Sequence, residues 1–145
     1  MTALGIDYGA VRIGVAREIP GTSLVVPVGA VTPADFNHNF ALWVTEFDVD
    51  VVYVGFPKSM SGAEGTAATM VRDWASEAAK NFPTQKWRLL DERLTTVAAT
   101  KALHAAGKTA KQQREIIDSM AAVLILQLAL EQEARTARPI GEPIE

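Results

Sequence analysis

Leu4-Gly5-Ile6-Asp7-Tyr8-Gly9-Ala10-Val11-Arg12-Ile13-Gly14-Val15-Ala16 is the stretch whose reading decides the fold of this chain. Residues 4–7 read as a short buried strand, residues 8–10 turn the chain, and residues 12–16 read as a second strand paired back on the first. Asp7 stands where the apolar run ends. A carboxylate there is costly to desolvate unless it is hydrogen-bonded, paired or bound to a cation. Gly9 has no side chain, so a phosphate or a metal can approach the backbone closely. Asp and Gly are also ordinary turn residues, and a plain hairpin is the competing reading.

Beyond the hairpin, Pro20 and Gly21 mark a loop, and residues 24–31 read as a third strand whose Pro27 asks for an edge or a bulge. Thr32-Pro33-Ala34-Asp35 is a helix start, with Thr as cap and Pro in the first turn. Phe36, Phe40, Trp43, Val44 and Phe47 then recur at helical spacing as a core face. Residues 49–56 form a β-branched run, the pattern of a strand buried on both faces. A loop carrying Pro57, Lys58 and Gly62 follows it. From beyond Gly65 to about Asn81 a helix is expected, with Ala67, Met70, Val71, Trp74, Ala75 and Ala78 on its apolar stripe. Free N–H groups at its start, next to Lys58, suit a phosphate.

Residues 87–90 read as one more strand, running into Asp91-Glu92-Arg93. Thr95 or Thr96 caps a helix that Gly107 closes. Thr109 and Gln112 make a capping box for the last and longest helix. That helix is apolar almost all round, so it should lie buried on the sheet, and Asp118 stands in its first turns. Pro139, Gly141 and Pro143 mark a short mobile tail. The order gives an α/β fold, a mixed five-stranded sheet flanked by helices, with residues 1–137 as one domain and 138–145 as the tail.

Composition narrows the function. The chain has 145 residues, 48% hydrophobic and 21% charged, which suits one globular domain. Without cysteine, thiol catalysis and thiolate metal sites are excluded, and a reducing cytoplasm is the fitting compartment. No stretch approaches a membrane span and the N-terminus lacks signal-peptide regions, so a cytoplasmic location with no membrane partner is expected. A net charge of −3 argues against a generic nucleic-acid coat. The distribution says more. Between Glu92 and Glu115 no acid occurs, while Arg93, Lys101, Lys108, Lys111 and Arg114 all fall there. That is either a surface for a phosphodiester backbone or a solvated helix face.

In such a sheet the strands ending in Asp7 and in Asp91-Glu92 can finish at one edge, and the last helix can bring Asp118 over it. Carboxylates that converge repel one another, and a divalent cation is the natural compensation. All-oxygen ligation by Asp7, Asp91, Glu92 and Asp118 favours Mg²⁺ or Mn²⁺. Two such ions would activate a water and stabilise a leaving oxygen in phosphodiester hydrolysis.

Four motifs then carry a resemblance: Gly5-Ile6-Asp7-Tyr8-Gly9 with Arg12-Ile13-Gly14-Val15-Ala16; Val54-Gly55-Phe56-Pro57 with Met60 and Gly62; Asp91-Glu92-Arg93-Leu94-Thr95-Thr96; and Ile117-Asp118-Ser119-Met120-Ala121-Ala122. Together they resemble the YqgF/RuvX family, described as Holliday junction resolvases and as pre-16S rRNA processing nucleases. The resemblance implies an RNase H-like fold and a metal-dependent nuclease with Asp7, Glu92 and Asp118 as catalytic acids. Gly9, Arg12, Lys58, Arg93, Lys101, Lys108, Lys111 and Arg114 would then contact substrate. The expected partners are nucleic acid, an rRNA precursor or branched DNA, and a ribosomal particle, with the chain a monomer or a homodimer. Val11 stands where the family commonly has Lys, a departure in a substrate-side loop. An actin-like ATPase, which shares the first motif, is rejected: Asp7-Tyr8-Gly9 is the only Asp-x-Gly here and no second lobe fits. A non-cutting RNA- or ribosome-binding module on the same fold stays as the alternative.

Overall fold

The structure, a computed structural model, describes residues 2–57, 64–91, 110–138 and 140–144, with side chains at all of these except 110–118. The strands are β1 (Thr2–Tyr8), β2 (Ile13–Glu18), β3 (Val25–Val31), β4 (Val49–Phe56), β5 (Lys86–Asp91) and β6 (Glu142–Pro143). The helices are α1 (Pro33–Phe47), α2 (Thr66–Asn81) and α3 (Ala110–Thr136). The helix expected over residues 95–107 lies outside the described residues.

The strands form one mixed sheet in the order β3-β2-β1-β4-β5-β6. β1, β2 and β3 are antiparallel neighbours, whereas β4 lies parallel to β1 and β5 parallel to β4. β3 is an outer strand with a register shift opposite Val15 and Ala16, as Pro27 requires.

The sheet has six strands, not five. Glu142–Pro143, within the stretch expected to be a mobile tail, supply the sixth, pairing antiparallel to β5 through Arg88↔Pro143 and Leu89↔Glu142. Gly141 makes the entry possible: its φ is +82, and a Cβ there would meet the Leu89 carbonyl oxygen at 2.5 Å. Arg88 donates to the carbonyls of Ile140 and Gly141, and the Ile144 N–H donates to the Trp87 carbonyl at 2.9 Å. Arg72 on α2 reaches Glu142 at 2.5 Å and Glu64 at 3.1 Å while lying over the Phe56 ring. Two isoleucines in a Pro/Gly-rich run give too weak a strand pattern to be read from sequence.

Strand alternation divides the core in two. Leu4, Ile6, Val52, Val54, Trp87 and Leu89 face α1 and α2, where Phe36, Phe40, Val71 and Ala75 pack on them. Ala3, Tyr53 and Leu90 face α3, against Ala121, Ile125, Leu126 and Ala129. Helix α1 starts as its sequence directs: Thr32 Oγ1 accepts from the Asp35 N–H at 3.3 Å, and Pro33 opens the first turn. Helix α2 is rotated from its expected stripe. Ala68 enters the core, while Ala67 and Met70 stay exposed. No helix among the described residues is long and apolar enough to cross a membrane.

Candidate functional site

Because β1, β4 and β5 are parallel, their C-terminal ends reach the same edge. Ile6 pairs with Val54 and Val54 with Leu89, so these three define one row across the sheet. Asp7 stands one residue beyond that row and Asp91 two beyond it. Asp7 is only 5% exposed, whereas Asp91 is half-buried. Alternation separates their faces. Ala3 and Gly5 lie under α3, and Asp7 shares their parity; Trp87 and Leu89 face the α1/α2 side, and Asp91 shares theirs.

Helix α3 crosses β1 in the opposite direction. Ala3 packs in the cluster of Ala129, while a Cβ on Gly5 would meet the Ala122 carbonyl oxygen. Four residues of helix advance about 6 Å, close to the roughly 6.6 Å of two strand residues. The step from Gly5 to Asp7 on β1 therefore matches the step from Ala122 back to residue 118 on α3. Asp118 lies four residues before Ala122 on α3, and Lys111 and Arg114 lie on the turns before it.

Glu92, Lys58, Arg93, Lys101 and Lys108 lie outside the described residues, and the side chains of Lys111, Arg114 and Asp118 are likewise not described. Among the described residues no three acidic or histidine side chains converge. Arg12 is half-buried beside the hairpin turn. Gly9 has a local reason to be glycine: a Cβ there would stand 2.6 Å from the Arg12 carbonyl oxygen, so the turn itself demands it.

Sequence reasoning missed a groove of about 330 Å³ at this edge. Asp7, Tyr8 and Ala10 form one wall, and Pro57, Ala67 and Met70 another. The Tyr8 ring is stacked on Trp74, with centroids 4.8 Å apart and planes 24° from parallel. The signal available in sequence was the position of Tyr8, an aromatic residue directly after the strand-end acid. At the opposite end of β1 the Glu18 Oε1 accepts from the Ala3 N–H at 2.8 Å. Glu133 on α3 has its carboxyl pushed above the ordinary range by burial first, then by the negative charges of Glu18 and Asp50.

A model of the RuvX family, described as Holliday junction resolvase, matches residues 1–132. The chain is 43% identical over 145 residues to a Streptomyces coelicolor protein named "Putative pre-16S rRNA nuclease", covering 98% of this chain and 87% of that one. A Mycobacterium leprae protein of the same name is 44% identical over 139 residues, covering 94% and 75%. Among solved structures, Thermus thermophilus RuvC in complex with a Holliday junction substrate is similar with a TM-score of 0.55 at 14% identity, over 99% of both chains. At that identity the likeness bears on the fold, which is RNase H-like.

Proposed function

We propose, from the premise that this chain belongs to the RuvX family, that it is a metal-dependent nuclease that trims the 5′ end of a 16S rRNA precursor. The observation that carries the reading is the buried Asp7 at the end of β1, at the sheet edge where the parallel strands β4 and β5 also end. Relatives at about two-fifths identity along nearly the whole chain, named for this activity, support the substrate.

The donor set fits a hard divalent cation. Asp7, Glu92 and Asp118 offer carboxylate oxygens only, with Asp91 as the remaining candidate, and neither thiolate nor imidazole competes at those positions. Mg²⁺ or Mn²⁺ held there supplies charge neutralisation at the phosphodiester and a more acidic bound water. The chain's own contribution is positional. Asp7 is fixed by the β1–β2 and β1–β4 ladders, and Gly9 lets the turn close tightly behind it. Lys111 and Arg114, on the first turns of α3, are suited to the substrate backbone, as are Arg12, Lys58, Arg93, Lys101 and Lys108.

The test is cleavage of a 5′-extended 16S rRNA fragment beside a four-way DNA junction, with Mg²⁺, Mn²⁺ or EDTA. Cutting of the RNA, lost in EDTA and in a folded Asp7→Asn variant, is expected. Cutting of the junction alone by a dimer would replace this reading with a resolvase, which the RuvC-like fold also accommodates. Tight RNA binding with no cutting in either metal would leave a binding module.

A further inference from the structure

We infer that the groove beside Asp7 is a nucleobase subsite: it receives one unpaired base of single-stranded RNA, from the nucleotide next to the phosphate under attack. The inference takes its substrate from the nuclease reading above and adds what that site recognises. The groove, at about 330 Å³, is at the small end of ligand pockets. It has room for a flat ring system and none for a duplex.

Its walls have the chemistry of a base site. Ala10, Pro57, Ala67 and Met70 present apolar surface, and among the described residues lining the groove none is cationic. Met70 is 44% exposed, a large apolar side chain left to water on α2 that a base would cover. Tyr8 supplies the rigid wall. Its ring rests on Trp74, which meets Phe36 edge-on at 5.0 Å and Trp87 at 6.4 Å. A side chain braced into the core loses little freedom when a ligand arrives. Aromatic surfaces stack on any base, so such a site reads whether a base is unpaired rather than which base it is.

Asp7 borders the groove, yet its parity sets it on the α3 face, while Ala67 and Met70 belong to α2 on the other face. A strand laid across the end of β1 has its phosphate on one side and the neighbouring base on the other. A paired base must leave its stack to enter, at a cost of a few kcal/mol. Unpaired RNA enters without that cost.

The experiment is an abasic scan. Short single-stranded RNAs, each with one abasic residue at a different position, are bound to the intact protein in EDTA and then cleaved in Mg²⁺ or Mn²⁺. A 2-aminopurine scan reports stacking by fluorescence quenching. One position next to the cut is expected to lose roughly tenfold in affinity, the scale of one stacked base. Met70→Ala and Tyr8→Leu should flatten the scan, with circular dichroism confirming folding; the exposed Met70 site keeps the test usable if Tyr8→Leu does not fold. Cleavage and binding equal at every abasic position would overturn the subsite and leave the nuclease reading standing. A Met70→Ala scan identical to that of the unmodified protein would also overturn it. A position-specific loss of binding with no cleavage of any RNA would uphold the subsite and overturn the nuclease.

Discussion

Gly5 and Ala122 meet backbone to backbone: a Cβ on residue 5 would stand 2.7 Å from the Ala122 carbonyl oxygen and 2.7 Å from the Leu126 Cβ. This contact sets how closely α3 approaches β1, the strand that carries Asp7. Neither obstacle is the far end of a flexible side chain, so α3 as a whole would have to shift. Gly5→Ala is expected to cost about 2 kcal/mol, in the range of core overpacking. It should lower metal-dependent cleavage more than the lost stability explains. Denaturant unfolding and cleavage at a temperature where the variant is folded check both parts. Full activity with unchanged stability would mean that the seam is looser than its geometry.

Tyr53 on β4 is fully buried under α3, and its hydroxyl has no hydrogen-bond partner among the described residues. A buried polar group without a partner costs about 1–3 kcal/mol. Tyr53→Phe removes the oxygen and keeps the ring among Ala3, Leu90 and Ile125. The variant should be more stable by about 1 kcal/mol, read as a rise of a few degrees in Tm. A lower Tm would show that the hydroxyl is satisfied in solution.

Much of this architecture is written locally in the chain. Thr32 and Pro33 announce α1, and the β-branched residues of β4 announce a central strand, because caps and strand patterns depend on near neighbours. What tertiary contact decides was not legible. The stripe of α2 turns by one residue, from Ala67 to Ala68, and the helix also sets Arg72 over Phe56 and Trp74 against Tyr8. β6 exists because Arg72 and Arg88 hold a segment with almost no strand pattern. Of the candidate site, the acids could be picked out as polar residues ending apolar runs. The groove could not, since its walls come from three elements far apart in sequence.

Glu133 gives the fold a pH signature. Burial, then Glu18 and Asp50, raises its folded-state pKa above the unfolded value. The folded state therefore keeps the proton to higher pH, and this group's contribution to stability falls as pH rises through the window between the two values. Glu133→Gln should stabilise the protein at pH 7 and lose that advantage as pH falls below the unfolded carboxyl range. Glu133 is only half-buried, so the gain stays under about 1 kcal/mol. Because burial is the leading cause, most of the gain should survive 1 M salt, which screens Glu18 and Asp50. Paired urea melts at pH 7 and pH 4, with and without salt, measure it. A gain that vanishes in salt would assign the shift to those two neighbours instead.

Asp91 and Glu92 are consecutive, and a strand continued through both would put them on opposite faces. Asp91 ends β5 with the parity of Trp87 and Leu89, on the α1/α2 side, while Asp7 lies on the α3 side. A strand carried one residue further returns to the α3 side at position 92. Two strand spacings, about 10 Å, separate β1 from β5, and the longer side chain of glutamate is the better suited to span part of that gap. Glu92→Gln is therefore expected to abolish metal-dependent turnover, as Asp7→Asn and Asp118→Asn should. Asp91→Asn is expected to keep turnover within about tenfold of the unmodified protein, a loss worth about 1.4 kcal/mol. Its remaining effect should appear in stability. Titrating Mn²⁺ against cleavage rate for all four variants decides the matter. An inactive, folded Asp91→Asn beside an active Glu92→Gln would reverse the assignment and mean that the chain bends at the end of β5.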